Sequence, residues 1–289
     1  MQNTIVGKYS KKISSEKFGN LVLLNKIESS VKRIITEDIN SSEPVFLKVS
    51  DNAIHKIALF LAGCSTRPCS IGIAGETASG KSTITYDIIE TLEAFAEEHK
   101  IYNLITRINT DDYYYDRSDL VKSYGSFAEL AKNYDFDVPE ALELCLMKKH
   151  IRSLLDGNEV YLPEYDMSGT AIRHDDVKLA TPSKIIISEG LFTLTPKVVD
   201  AFDFKIYVHV SHEAQKERFY KRAIERGLGS SMDEVYNNAS NKAKIYIHPT
   251  ANSADIILSG EAERTSYKAF VNKILNIVLE LKNEKMALV

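Results

Sequence analysis

Residues 71–83 read IGIAGETASGKST, and the reading of this stretch decides the fold. Gly75, Gly80, Lys81 and Ser82 satisfy the phosphate-binding spacing G-x-x-x-x-G-K-[ST]. Glu76, Thr77, Ala78 and Ser79 lie between the glycines and Thr83 follows, so Gly75 to Thr83 is the candidate nucleotide-binding segment. Glycines at the two ends permit backbone angles that let successive N–H groups face phosphate oxygens. Lys81 supplies a point charge for the outer phosphates, and the Ser82 hydroxyl is a hard oxygen ligand for Mg2+. A helix starting here turns its positive end to the same anion. The flanks agree. Ser70 to Ala74 is a short apolar strand, and Ile84, Ile88, Ile89, Leu92 and Phe95 recur at helical spacing.

Working outward, strands alternate with helices. Strands are expected near 70–74, 104–108, 160–162, 184–188, 204–210 and 256–258. Helices are expected near 81–99, 126–132, 139–155, 214–226 and 262–281. That alternation predicts an α/β protein with a parallel sheet flanked by helices. Before it, residues 1–65 read as a helical N-terminal extension. One helix ends near Asn40, and a second runs from Asp51 to about Leu61, capped by Ser50 or Asp51. The α/β domain is then 66–289.

The chain has 289 residues, 44% of them hydrophobic, enough for a sizeable core. Its net charge of −4 gives no electrostatic reason to expect nucleic acid. Three cysteines, Cys64, Cys69 and Cys145, are too few for a disulfide framework and are not at zinc spacing. No apolar run is long enough to span a membrane, and the polar N-terminus lacks a signal-peptide core. A cytoplasmic protein is expected, with a homo-oligomer left open. A GTPase is not, because no Asn-Lys pair downstream of the glycine loop is followed by the acid of N-K-x-D.

Three further stretches bear chemistry. Asn109 to Asp116 (NTDDYYYD) follows the second strand at the edge where open α/β sheets bind ligands. A carboxylate there can take a proton from a hydroxyl or hold Mg2+, and so many tyrosines on a polar loop predict contact with a ligand. Glu189 ends the strand Ile185 to Ser188, beside the glycine loop, where it too can help hold Mg2+. Arg218, Arg222 and Arg226 recur at i, i+4, i+8 on a charged helix. They suit a triphosphate, and Gly227 and Gly229 after them allow a lid to hinge.

In order, these motifs resemble the uridine kinase / phosphoribulokinase family of P-loop kinases. After the loop come Asp111-Asp112-Tyr113-Tyr114, Asp135 to Ala141 (DFDVPEA), Pro163-Glu164-Tyr165-Asp166, Glu189-Gly190, an arginine helix ending Glu225-Arg226-Gly227, and Ser253 to Ile257. The resemblance covers about 70–260. It implies the P-loop nucleoside triphosphate hydrolase fold with an arginine-rich lid, and use of ATP and Mg2+. It implies Asp111 as general base and metal-associated acid, and Glu189 as the second metal-associated carboxylate. By the same resemblance Asp137 binds acceptor hydroxyls, Tyr165 stacks on the acceptor, Tyr113 and Arg173 join the acceptor site, and Arg218 and Arg222 sit on the phosphates with Lys81. The family's pyrimidine-reading histidine after P-x-Y has no counterpart. Met167 to Ala171 intervene, small and flexible, before Arg173 and His174, while Leu228 and Ala223 replace polar family residues. The phosphate-handling half is intact and the base-reading half is altered. An ATP-dependent kinase acting on a hydroxyl of a nucleoside or related metabolite is expected. The alternative is a nucleotide-binding regulator with little turnover.

Overall fold

The computed structural model describes residues 3–63, 67–225, 227 and 229–287, with side chains described within 21–281 except at 230 and 278. In chain order the elements are α1 (Asn3–Ile39), β1 (Phe46–Val49), α2 (Asp51–Leu61), β2 (Cys69–Ala74), α3 (Lys81–Glu98) and β3 (Ile105–Asn109). Then follow α4 (Ser118–Tyr124), α5 (Phe127–Ala131), α6 (Leu144–Leu155), β4 (Val160–Tyr165), β5 (Arg173–Ala180), β6 (Ile185–Glu189) and β7 (Phe204–His209). The chain ends through α7 (His212–Glu225), α8 (Met232–Lys242), β8 (Ile256–Ser259) and α9 (Arg264–Ala287).

One sheet has the order β1-β8-β7-β2-β6-β3. The pairs β8–β7, β7–β2, β2–β6 and β6–β3 are parallel. Its central strands are continuous apolar runs because helices cover both faces. On one face Ile108, Ile186 and Tyr207 pack with Met147, Ile151 and Leu154 of α6. On the other Ile73, Ile185 and Ile206 pack with Ile84 and Ile89 of α3 and Tyr267 of α9. Connections of this kind bring the carboxyl ends of β2, β6 and β3 to one edge, which is where a switch-point ligand site forms.

The structure corrects several expectations. The N-terminal extension is not purely helical, because Phe46–Val49 adds an antiparallel edge strand to β8. Four residues are too short a run to declare a strand from periodicity. The helices of the extension pack as read. Ile27, Val31 and Ile35 of α1 bury against Ile54 and Ala58 of α2 and Ile277 of α9. Ser50 caps α2 by accepting the Ala53 N–H. The helix expected over 139–155 begins at Leu144, since Pro139–Ala141 is a single 3-10 turn. The elements α4, β5 and α8 escaped notice because their sequences are polar. β5 reads RHDDVKLA and exists by pairing with β4.

Where α3 meets α9, Asp87 is fully buried and accepts two hydrogen bonds from Arg264, at 2.9 and 2.6 Å. That pair holds the Asp87 carboxyl below its usual range, against the opposing effect of burial. A depressed folded-state pKa contributes stability above the unfolded value of about 3.9, lost as pH falls through the folded value. Asp87→Asn should therefore melt below the wild type at neutral pH, with the gap closing below about pH 4. Thermal melts across pH 3–7 would check this, and a pH-independent gap would contradict it.

Candidate phosphoryl-transfer site

The glycine loop joins β2 to α3, and close packing fixes its shape. A Cβ on Gly75 would lie 2.7 Å from the Val208 carbonyl oxygen and 2.8 Å from Ser79 Oγ. Gly80 heads α3 with φ 91°, a left-handed conformation that favours glycine, and Ala78 is held at φ 61°. Gly80 gives α3 no side-chain cap; Lys81 N reaches Ser79 Oγ at 3.4 Å, and the positive end of the helix is turned to the loop. Gly260, after β8, backs the loop so closely that a Cβ there would fall 2.1 Å from the Ser79 carbonyl oxygen. Ser79 is fully buried, and the Thr77 carbonyl accepts from Gln215 Nε2 of α7 at 3.1 Å. The Glu76 carboxylate faces His248 Nε2 at 3.3 Å. Thr83 is exposed on the first turn of α3.

Two carboxylates meet the loop. Glu189, 5% exposed at the end of β6, accepts from Ser82 Oγ at 3.1 Å and from Arg107 at 3.1 Å. Arg107 is on β3, its guanidinium 4.3 Å above the Tyr86 ring and bonded to that hydroxyl at 2.7 Å. Asp111 sits in the 3-10 turn Thr110–Tyr113 after β3, where the Asn109 side chain accepts its N–H. A Cβ on Gly190 would collide with Thr110, so a glycine there lets this turn lie against the end of β6.

The electrostatics make one cluster of Lys81, Asp111, Glu189 and Arg222. Burial lowers the Lys81 pKa, while Glu189 and Asp111 pull it back up. Burial raises Asp111, opposed by Lys81, reinforced by Glu189 and opposed again by Arg222 and Arg107. Arg218 Nη1 donates to the Gly260 carbonyl at 2.9 Å, close against the loop. Arg226 and Leu228 lie outside the described residues.

The acceptor-side residues divide. Asp137 is raised by burial and accepts from Asn238 of α8 at 3.1 Å. Tyr165, on β4, packs 5.2 Å from the Tyr114 ring, and its buried hydroxyl has no hydrogen-bond partner among the described residues. Tyr113 corrects the expectation of a ligand contact. It is 0% exposed and its hydroxyl pairs with His150 Nδ1 at 2.9 Å. Tyr114 is buried as well. The tyrosine-rich run is core packing at these two positions: Thr110 and Tyr113, three residues apart, share the inward face of the 3-10 turn, and Tyr114 follows in extended backbone bridged to Leu142. Arg173 is already engaged, 3.0 Å from Glu143 and 2.9 Å from Asp175, so it is not a free acceptor ligand. Nor is the segment after Tyr165 loose. Asp166 accepts from Ser168 N, Ser168 Oγ and Thr170 Oγ1, at 2.8, 2.8 and 2.5 Å. Its own N–H donates to the Ile172 carbonyl, closing the tip of the β4–β5 hairpin. His174 is exposed and opposite Glu164 in that hairpin.

Sequence reasoning missed Arg107, Gln215, Asn238, His248 and Gly260. Arg107 alone left a signal, as a charged residue inside an otherwise apolar strand. No group of three or more His, Cys, Asp or Glu gathers among the described residues. A bound Mg2+ would draw on the Ser82 hydroxyl, the two carboxylates, phosphate oxygens and water, the mixed set this ion prefers. The helix terminus without a side-chain cap, the crowded glycine cradle and the half-buried Lys81 fit a nucleoside triphosphate.

A phosphate-binding loop between β2 and α3, with carboxylates ending two neighbouring strands and arginines of α7 above, defines a P-loop kinase. The sequence model of the Phosphoribulokinase / Uridine kinase family matches residues 70–265, and the chain belongs to that family. It is 32% identical over 209 residues to a uridine kinase of Halobacterium salinarum, covering 71% of this chain and 86% of that one. With a uridine kinase of Clostridium perfringens the identity is 33% over 218 residues, covering 73% and 97%. Among solved structures it is similar to phosphoribulokinase from Rhodobacter spheroides, at 16% identity and a TM-score of 0.49, covering 68% of this chain and 71% of that one. No helix among the described residues is long and apolar enough to cross a membrane.

Proposed function

We propose that the protein transfers the γ-phosphate of ATP to a hydroxyl of a small molecule, a nucleoside or related hydroxylated metabolite. The observation that carries this is the meeting of Lys81, Ser82, Asp111 and Glu189 at one sheet edge. ATP with Mg2+, when bound, supplies the phosphoryl group and a divalent charge against it. Asp111 orients the acceptor hydroxyl and takes its proton, a role favoured by a carboxyl whose pKa burial raises. Lys81, Arg218 and Arg222 offset charge on the transferring group, the main source of catalysis in such sites. Asp137 accepts from acceptor hydroxyls, and the Tyr165 ring borders them. A regulator without turnover would need no acid at Asp111, so the enzymatic reading stands above it. A cytoplasmic location is part of the same proposal.

The curated relatives are named uridine kinase, yet uridine is expected to be a poor acceptor here. Reading a base edge needs buried partners, and a missing one costs discrimination steeply. The hairpin tip from Asp166 to Ile172 contains no histidine and is closed on itself. His174 faces solvent and Arg173 is bound to Glu143. Steady-state kinetics with uridine and cytidine test this. A kcat/KM below about 10⁴ M⁻¹s⁻¹, the low end of the usual range, is expected, and a value above it would contradict the reading of the hairpin.

A further inference from the structure

A large cavity lies at the opposite end of the sheet from the glycine loop. It has a volume of about 970 Å3 between the C-terminal parts of α2, α3 and α9 and the starts of β2 and β6. Through Phe60, Leu61, Leu92, Ile185 and Leu275 it shares walls with an inner chamber of about 220 Å3. The inner chamber runs between the sheet and the helices, and its other walls are side chains such as Ile71, Ile88, Phe204 and Ile274. Its only heteroatom-bearing side chains are Tyr267, whose hydroxyl donates to the Ser259 carbonyl, and Cys69, whose thiol burial pushes up to about 12.

We infer that this pair of chambers binds a single-chain amphiphile with an anionic head, of the class of a medium-chain fatty carboxylate. Apolar cavities take apolar ligands, and one of about 150 Å3 already holds benzene. The outer chamber falls within the range of about 300–1,000 Å3 typical of ligand pockets. Charge selects the head group. Arg67, His99 and Lys184 line the outer chamber, and among the described residues no Asp or Glu does. Arg67 is matched by Asp203, at 3.2 Å to one oxygen. Lys184 is exposed and makes no ion pair among the described residues, so its ammonium is available at the opening. An alkyl chain follows the apolar walls inward past Leu92 and Ile185 while the carboxylate stays with Lys184 and His99. The site also touches the catalytic scaffold. β2 and β6 start at its wall, with Cys69 and Ile185, and end at the glycine loop and Glu189. α3 carries Lys81 at one end and Leu92, Phe95 and His99 at the other.

Calorimetric titration of the full chain with dodecanoate, kept below its micelle concentration, tests the inference. One saturable site per chain with a negative heat-capacity change is expected. Dodecanol and dodecyltrimethylammonium should bind at least about tenfold more weakly, because they lack the complementary charge. Lys184→Glu should weaken dodecanoate about tenfold with circular dichroism unchanged. Leu92→Trp narrows the shared wall and should abolish binding; if that variant fails to fold, Lys184→Glu decides. No saturable site, equal binding by all three amphiphiles, or binding unmoved by Lys184→Glu would overturn the proposal. None of these readouts depends on turnover, so the kinase reading stands or falls separately.

Discussion

Lys81→Ala is expected to abolish turnover while leaving the far-UV circular dichroism unchanged. Removing a single preorganised donor from a developing oxyanion costs about 10²–10³-fold, so a loss of at least that size is predicted in kcat. The fold should tolerate the change because backbone and glycines shape the loop. Gly75 and Gly260 are crowded by Val208, Ser79 and His209, and none of those contacts uses the lysine side chain. Arg107 and Arg222 remain to offset Glu189 and Asp111. Normal structure with retained activity would sink the assignment of the loop.

Asp111→Asn should lower kcat by about 10²–10⁴-fold, the contribution of a positioned general base, and leave the Kd for ATP within a few-fold. The amide keeps the shape of the 3-10 turn, whose N-terminal cap comes from Asn109. Asp112→Asn should be milder. Burial pushes the Asp112 carboxyl up to about 6, held back by the backbone amide of Tyr165, so this acid anchors the β4 strand. Equal sensitivity at both positions in a rapid-quench measurement of the transfer step would show that the two acids had been assigned to the wrong roles.

Much of this was legible in the chain. The glycine loop, the strand ending in Glu189 and the acid at Asp111 each combine a local backbone demand with a residue type that chemistry requires. Such signals survive without tertiary information. What failed depends on contacts between distant segments. β1 and β5 exist through partners β8 and β4, and their own residues are too few or too polar to announce a strand. Tyr113 and Tyr114 looked like ligand contacts because their neighbours are polar, but the turn after β3 rotates them into the core beside α6. Arg173 matched a motif position, and only the fold places Glu143 against it. Arg107 sits beneath Glu189 because β3 and β6 run in parallel register, pairing Asn109 with Glu189.

Phosphorus NMR of the purified chain with ATP, Mg2+ and a pool of nucleosides and hydroxylated metabolites addresses the proposed activity most directly. A new phosphomonoester resonance should grow as the ATP γ-phosphate signal declines, and the Asp111→Asn variant should fail to produce it. If ATP stays intact, or yields only inorganic phosphate while no phosphomonoester forms from any member of the pool, the proposed phosphoryl transfer is contradicted.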